Sequence, residues 1–221
     1  MPPTRSATQP SARIGSRGQR PAEREDRRTQ AQRSEETTEQ LLAAARRLFA
    51  EKGFAGTSIE EIVRTAGVTR GAMYHHFASK EEVFEAVFAR EQERIARRVQ
   101  EAAAKKKGAW NQLKAGCDEF LTAALDRETQ QITFLDGPAV LGAGRIEEIE
   151  CPHSIEMITE VIERAMRQGA LRKRPATPLA QLLFGALCQA AMVAARSSDD
   201  GTTMKQMRKE VQRLLDALEA T

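Results

Sequence analysis

The sequence predicts an all-α protein: a small three-helix N-terminal unit joined by a long helix to a larger helical domain. Three observations predict it. Apolar residues recur at i, i+3, i+4 and i+7 almost continuously from Ser34 onward, the spacing of one helix face. Several of these stretches open on Ser or Thr with Glu three residues later and close on Gly, the residues that start and stop helices. No run of alternating β-branched residues lies between turn signals, so no strand is expected.

The 221 residues are 41% hydrophobic and 29% charged, enough apolar material for a folded core. Charges are expected to interrupt every apolar run well short of the ~20 residues a membrane span needs, and the Arg-, Pro- and Ser-rich N-terminus lacks the apolar stretch of a secretory signal. Cys117, Cys151 and Cys188 are widely spaced and odd in number, which reads as reduced, mostly buried thiols of a cytoplasmic protein. The net charge of +3 is unevenly placed: residues 1–33 carry eight Arg against Glu23, Glu25 and Asp26, a surplus of +5, so the rest of the chain nets −2. Residues 1–33 hold almost no large apolar side chains and are expected to be disordered. They are either a solvated leader or a basic arm that adds counterion-release affinity for a polyanion.

The elements follow in order. Leu41, Ala44, Ala45, Leu48 and Phe49 line one face of a helix running to about Lys52, where Gly53 stops it. Ile59, Ile62, Val63 and Ala66 make a second, short helix with two overlapping cap signals, Thr57 with Glu60 and Ser58 with Glu61, ended by Gly67. Only Val68 and Thr69 separate it from a third helix, with Thr69 as N-cap and Val68 packing against Met73. Ser79 with Glu82 launches a long helix to about Lys107. Further helices are expected over 109–126, over 129–141, onward to Gly169 with Pro152 kinking or restarting the helix, over 178–196 and over 203–220. Residues 34–82 form the helix-turn-helix unit and 83–221 the helical regulatory and dimerisation domain.

The stretch GVTRGAMYHHF, residues 67–77, holds the chain's only tyrosine and two of its three histidines. On a wheel at ~100° per residue, Arg70, Gly71, Tyr74 and His75 share one arc, while Ala72, Met73 and Phe77 lie opposite, with His76 between Ala72 and Met73. Met73 and Phe77 are expected to pack on the preceding helix, leaving the polar and aromatic arc outward. Two helices joined by a tight Gly-containing turn, the second displaying donors and a glycine, fit a DNA-binding helix-turn-helix. Arg70 suits phosphate or the acceptor pair of guanine, and Gly71 removes bulk at close approach. Tyr74 and His75 suit phosphate, sugar or a thymine methyl. Thr57, Ser58 and Thr69 stand at helix starts, which favour a phosphate, and Lys80 adds a charge beside them. A metal site is disfavoured because adjacent His75 and His76 diverge and no Cys is near; burial of His76 for packing stays open.

Residues 38–88 resemble the DNA-binding domain of the TetR/AcrR family of transcriptional regulators. The resemblance is carried by Phe49, Gly53-Phe54, Thr57-Ser58-Ile59, Ile62, Ala66-Gly67-Val68, Gly71, Tyr74, Phe77 and Ser79-Lys80-Glu81, and spans about a quarter of the chain. It implies that Thr57, Thr69, Arg70, Gly71, Tyr74, His75, His76 and Lys80 contact DNA. For His76 the resemblance and the wheel disagree. It also implies a C-terminal domain that dimerises and holds a small-molecule cavity.

In that domain, Met204, Met207, Val211, Leu214 and Leu218 step by 3, 4, 3, 4, the spacing of a helix-packing seam. Leu182, Leu183, Ala186 and Ala190 belong to a wide stripe whose alanines permit close approach. Two such helices per subunit would make a four-helix dimer interface, or both seams are internal core. Candidates for a ligand pocket are Trp110, Phe120, Phe134, Met157, Gln189 and Met192, which would suit an apolar or amphipathic molecule. Glu150-Cys-Pro-His153 is a single Glu-x-x-His, short of the paired motifs a di-iron bundle needs, and Gly142-Ala-Gly144 lacks the strand and third glycine of a dinucleotide loop. No enzyme, cofactor, metal or membrane partner is therefore expected. The expected protein is a homodimeric, nucleoid-associated repressor released from a palindromic operator by a small effector. The competing reading is a helical interaction protein, or a DNA-binding regulator without small-molecule control.

Overall fold

The structure, a computed structural model, describes residues 21–199 and 201–220; side chains are described from residue 30 onward, excepting 31 and 150–153. The expected arm of residues 1–33 falls partly outside this range, and from Pro21 the chain is helical, contrary to the expectation of disorder there. The residues after Pro21 are mostly Ala, Glu, Arg and Gln, good helix formers, with neither Gly nor Pro among them. Their helix propensity, and not their lack of apolar side chains, decides the local structure here.

The helices are α1 (Pro21–Lys52), α2 (Ile59–Ala66), α3 (Arg70–His76), α4 (Lys80–Ala104), α5 (Ala109–Ala123), α6 (Arg127–Thr129), α7 (Gly137–Val140), α8 (Gly142–Arg167), α9 (Ala176–Arg196) and α10 (Thr202–Ala217), with a π-helical segment, Gln130–Asp136, between α6 and α7. Among the described residues, 37–220 form one compact unit. An isolated antiparallel bridge joins Leu171 to Glu219.

Two apolar clusters organise the compact unit. The first, in the head, gathers Leu41, Leu48 and Phe49 of α1, Ile62 of α2, Met73 of α3 and Phe84 and Phe88 of α4. Phe84 meets Phe49 and Phe54 edge to face at 5.2 Å each, a geometry that adds to their burial. The second fills the body between α5, α8, α9 and α10 around Trp110, Leu121, Ile162, Leu187, Met204 and Leu215. Each such large side chain contributes about 1.5–3 kcal/mol on burial.

The segment expected as a regular helix over 129–141 is the main departure. The Gly137 N–H donates to the Ile132 carbonyl, five residues back. Pro138 supplies the cause: it has no N–H for the Phe134 carbonyl, and its ring crowds that carbonyl, so the ladder slips to the wider register. The slip puts Ile132 in the head cluster and Phe134 in the body cluster. The packing of the head therefore does not stop at residue 82: it takes Val83, Phe84, Val87 and Phe88 from α4 and Ile132 from beyond it. Glu91, buried on α4, lies in the same region and is paired with Arg46 of α1 and Arg94 of α4, as a buried carboxylate must be.

Other boundaries shift less. α8 runs unbroken through Pro152. α9 carries no charge between Arg174 and Arg196, so the expectation that charges cut every apolar run short fails here; by length and composition α9 is apolar enough to cross a membrane. In this fold Ala180, Leu183, Leu187 and Ala191 of α9 line the body core instead. Cys117 is buried, and burial pushes its thiol up to about 12; Cys188 is half-buried, and the side chain of Cys151 lies outside the described residues.

Candidate nucleic-acid interface

The turn that leads into α2 is fastened from three sides. Gly53, at φ 71°, ends α1 in the left-handed region that favours glycine. The Phe54 N–H donates to Asp136 Oδ2 at 2.7 Å, tying the turn to the π segment. Lys80 Nζ donates to the carbonyls of Phe54 and Thr57, both at 2.9 Å, and lies 4.1 Å from the Phe54 ring centroid. Thr57 itself is buried, its hydroxyl directed at the carbonyls of Gly53 (2.9 Å) and Leu48 (3.2 Å). As a DNA contact Thr57 is thus corrected: its side chain holds the turn and is not presented. Lys80 is half-buried, and its ammonium likewise serves the turn first.

Of the two overlapping cap signals, Ser58 with Glu61 forms. Ser58 Oγ accepts the Glu61 N–H at 3.2 Å and the Glu61 carboxylate accepts the Ser58 N–H at 3.2 Å, satisfying two donors that a helix start leaves open. The Lys52 ammonium at 2.6 Å, together with the Ser58 N–H, holds the Glu61 carboxyl down at about 2. The Thr57–Glu60 box does not form, because Thr57 is turned inward. α2 buries Ile62 and stops at Gly67, whose φ of 70° lets Val68 N–H reach the Val63 carbonyl, a closure that needs a left-handed residue.

α3 begins at Thr69, whose hydroxyl accepts the Ala72 N–H at 3.1 Å. Its anchor is Met73, fully buried in the head cluster, with Val68 and Phe77 packed alongside. Arg70, Gly71, Tyr74 and His75 are exposed together. His76 is half-buried, its Nδ1 3.3 Å from Thr38 Oγ1 of α1; the wheel sets it between Ala72 and Met73 on the side away from the exposed arc, and it is neither fully buried with Met73 nor fully exposed with Tyr74. A Cβ on Gly71 would meet nothing nearer than Thr69 Oγ1 at 3.9 Å. Glycine inside a helix costs about 0.5–1 kcal/mol relative to alanine, and no packing within the chain asks for it.

Arg70 lies between two partners. Its Nη1 donates to Glu60 Oε1 of α2 at 2.6 Å and its Nη2 to the Tyr74 hydroxyl at 3.3 Å, with the guanidinium 5.5 Å from the Tyr74 ring centroid. Glu60 is the residue that sequence reasoning missed here; it was read as half of a capping box, and its place at the start of α2, across the turn from Arg70, was the available signal.

Of the residues expected in a ligand pocket, Trp110, Phe120, Phe134 and Met192 share the body cluster and Met157 and Gln189 lie at the surface. Trp110 is buried and its Nε1 donates to Glu219 at 3.0 Å. Phe134 is buried and meets Phe120 edge to face at 6.2 Å, with Met192 packed on the same cluster. Two surface depressions lie elsewhere, one of about 540 Å³ bordered by Lys106, Lys107 and Lys114, the other of about 190 Å³ between Leu42, Arg46 and Arg90. The seams expected at a dimer interface divide between inside and outside. Leu183, Ala190 and Val211 are internal core, Met207 and Leu218 are half-buried, and Ala186 is exposed, as are Leu182 and Leu214, at 74% and 62%. Leu215, not Leu214, completes the inner face of α10.

Residues 41–87 match the family described as bacterial regulatory proteins, tetR family, and residues 110–218 match the tetracyclin repressor-like C-terminal domain. A solved TetR-family transcriptional regulator from Pectobacterium atrosepticum superposes with a TM-score of 0.76 at 32% identity, covering 86% of this chain and 97% of that one. The TetC protein of transposon Tn10, from Escherichia coli, is 26% identical over 161 residues, 73% of this chain and 81% of its own length. The transcriptional regulator CymR of Pseudomonas putida is 50% identical over 62 residues, 28% of this chain and 30% of that protein.

Proposed function

The chain belongs to the TetR family of transcriptional regulators, and on that premise we propose that it acts as a homodimeric repressor that a small apolar or amphipathic effector releases from a palindromic operator. The observation that carries the DNA contact is the exposed arc of Arg70, Gly71, Tyr74 and His75, with a glycine that nothing inside the chain requires. Around it, Thr69 and Ser58 stand at helix starts beside the groove face, and His76 and Lys80 flank it with shared duties. Two copies of α3 then enter successive major grooves, about 34–36 Å apart.

Leu182 on α9 and Leu214 on α10, both largely exposed on helices that pack against each other, support pairing through these two helices. Apolar side chains of this size left in water favour a partner surface, and Ala186 beside Leu182 admits a close one. For the effector, Trp110, Phe120, Phe134 and Met192 are the members of the candidate set that share a cluster, and an apolar guest is what such a lining accepts. An effector coupling of about 1–3 kcal/mol would change operator affinity about 5- to 150-fold.

The test is selection of bound duplexes from a randomised pool by the purified protein, followed by affinity measured against salt. A selected palindrome with log affinity falling linearly in log salt is the expected result; no enrichment and a flat salt response would leave a protein-docking surface instead. Tyr74→Phe should lower affinity for the selected duplex about 2- to 10-fold, the worth of one hydrogen bond, at unchanged melting temperature. Undiminished binding would remove Tyr74 from the contact face.

A further inference from the structure

We propose that Glu60 is a specificity-determining residue of the DNA-reading surface, a positioning residue that holds Arg70 for one base pair and keeps it off the phosphates. This rests on the DNA-contact reading above. The carboxylate stands at the start of α2, 2.6 Å from Arg70 Nη1, and both side chains are about three-fifths exposed. On the far side, the Tyr74 hydroxyl takes Nη2 and its ring underlies the guanidinium.

The fold gives little reason for this pair. An exposed ion pair adds almost nothing to stability, and α2 and α3 are already joined through Gly67, the Thr69 cap and buried Met73. Placed beside an arc that faces DNA, a negative charge is a handicap, since it repels the phosphates that supply most non-specific affinity. The cost is explained if the charge acts on Arg70. A free arginine at the rim of a groove is drawn to phosphate, where it carries no sequence information. With one edge engaged by Glu60 and its plane on Tyr74, the guanidinium keeps its remaining N–H donors in a fixed direction. A fixed fork is what paired hydrogen bonds to guanine O6 and N7 demand.

Glu60→Gln removes the charge and keeps the shape. Wild type, Glu60→Gln and Glu60→Ala are each run through the same randomised-duplex selection, then titrated with a labelled copy of the wild-type selected duplex and with a scrambled duplex of equal length. The expected result has three parts: discrimination at one base pair of each half-site falls about tenfold; affinity for the scrambled duplex rises; and its salt slope steepens by about one unit as Arg70 is released to phosphate. A merely structural pair would instead lower both affinities together, or neither, with the base preference intact, and that outcome overturns the proposal. Arg70→Lys, which keeps the charge without the fork, should lose discrimination at the same base pair; loss at a different one also overturns it. If the wild-type protein itself enriches no sequence, the DNA reading fails and this inference falls with it, a result distinct from a wild type that selects and a Glu60→Gln variant that selects identically.

Discussion

Replacing Asp136 by alanine tests whether the body positions the reading head through the π segment. Asp136 Oδ2 accepts the Phe54 N–H at 2.7 Å in a half-buried setting, and hydrogen bonds to a charged group contribute about 1.5–3 kcal/mol. Alanine also leaves that N–H to whatever water can reach it, so a loss of about 1.5–2 kcal/mol is the central expectation. For a chain of this size each kcal/mol lowers the melting point by about 2–4 °C, giving a fall of about 3–8 °C. Asparagine retains a neutral acceptor and should lose roughly half as much. Thermal unfolding followed by circular dichroism reads the global effect. Amide hydrogen exchange at Phe54 reads the local one, with exchange about 10-fold faster or more once the acceptor is gone. The decisive comparison is local: if the Phe54 amide exchanges at the same rate in Asp136→Ala as in the parent protein, the bond does not fasten the turn and the link from π segment to head is refuted.

Three further outcomes follow from the head. Gly71→Ala should raise the melting temperature slightly, since about 0.5–1 kcal/mol of helix propensity is recovered without a clash, while affinity for the selected duplex drops; a tighter or equal complex would mean the glycine does not face DNA. Met73→Ala should cost about 2–5 kcal/mol and Met73→Leu under about 1.5 kcal/mol, measured by urea unfolding, because Met73 is the one fully buried side chain of α3. The Glu61 carboxyl titrates at about 2 instead of near 4.5, so its contribution is fully present above about pH 4.5 and is lost as pH falls through 2. Melting curves from pH 7 to 2 should show Glu61→Gln less acid-sensitive over that lower window; identical acid limbs would count against the Lys52 and Ser58 contacts.

Much of the head was readable from residues alone because its signals are local. Gly67, the Thr69 cap and the spacing of Met73 and Phe77 determine the turn and the buried side of α3 without reference to anything distant. Where the reading failed, a non-local contact decided. Thr57 turned inward to carbonyls of α1 and its own turn, leaving Glu60 to Arg70. On α10, steps of 3 and 4 selected Leu214, but a straight helix at 3.6 residues per turn drifts against a seven-residue repeat, so that after Met204 and Val211 the inner face takes Leu215. Pro138 was the available local signal against the regular helix expected over 129–141, yet only the two clusters the π segment serves reveal which way the register slips. The side of α9 that faces out at Leu182 was not separable from the side that faces in at Leu183, since both are leucine in an uncharged stretch.

That a seven-residue stretch plants Ile132 in one apolar cluster and, two positions later, Phe134 in the other has a consequence for anyone cutting this chain apart. A fragment ending with α4 would lack Ile132 and uncover the Phe88 face against which Gly137 is pressed. Chimeras that exchange reading heads between such regulators must therefore carry the segment from Arg127 to Val140 with the head they transplant, or rebuild both halves of the stitch.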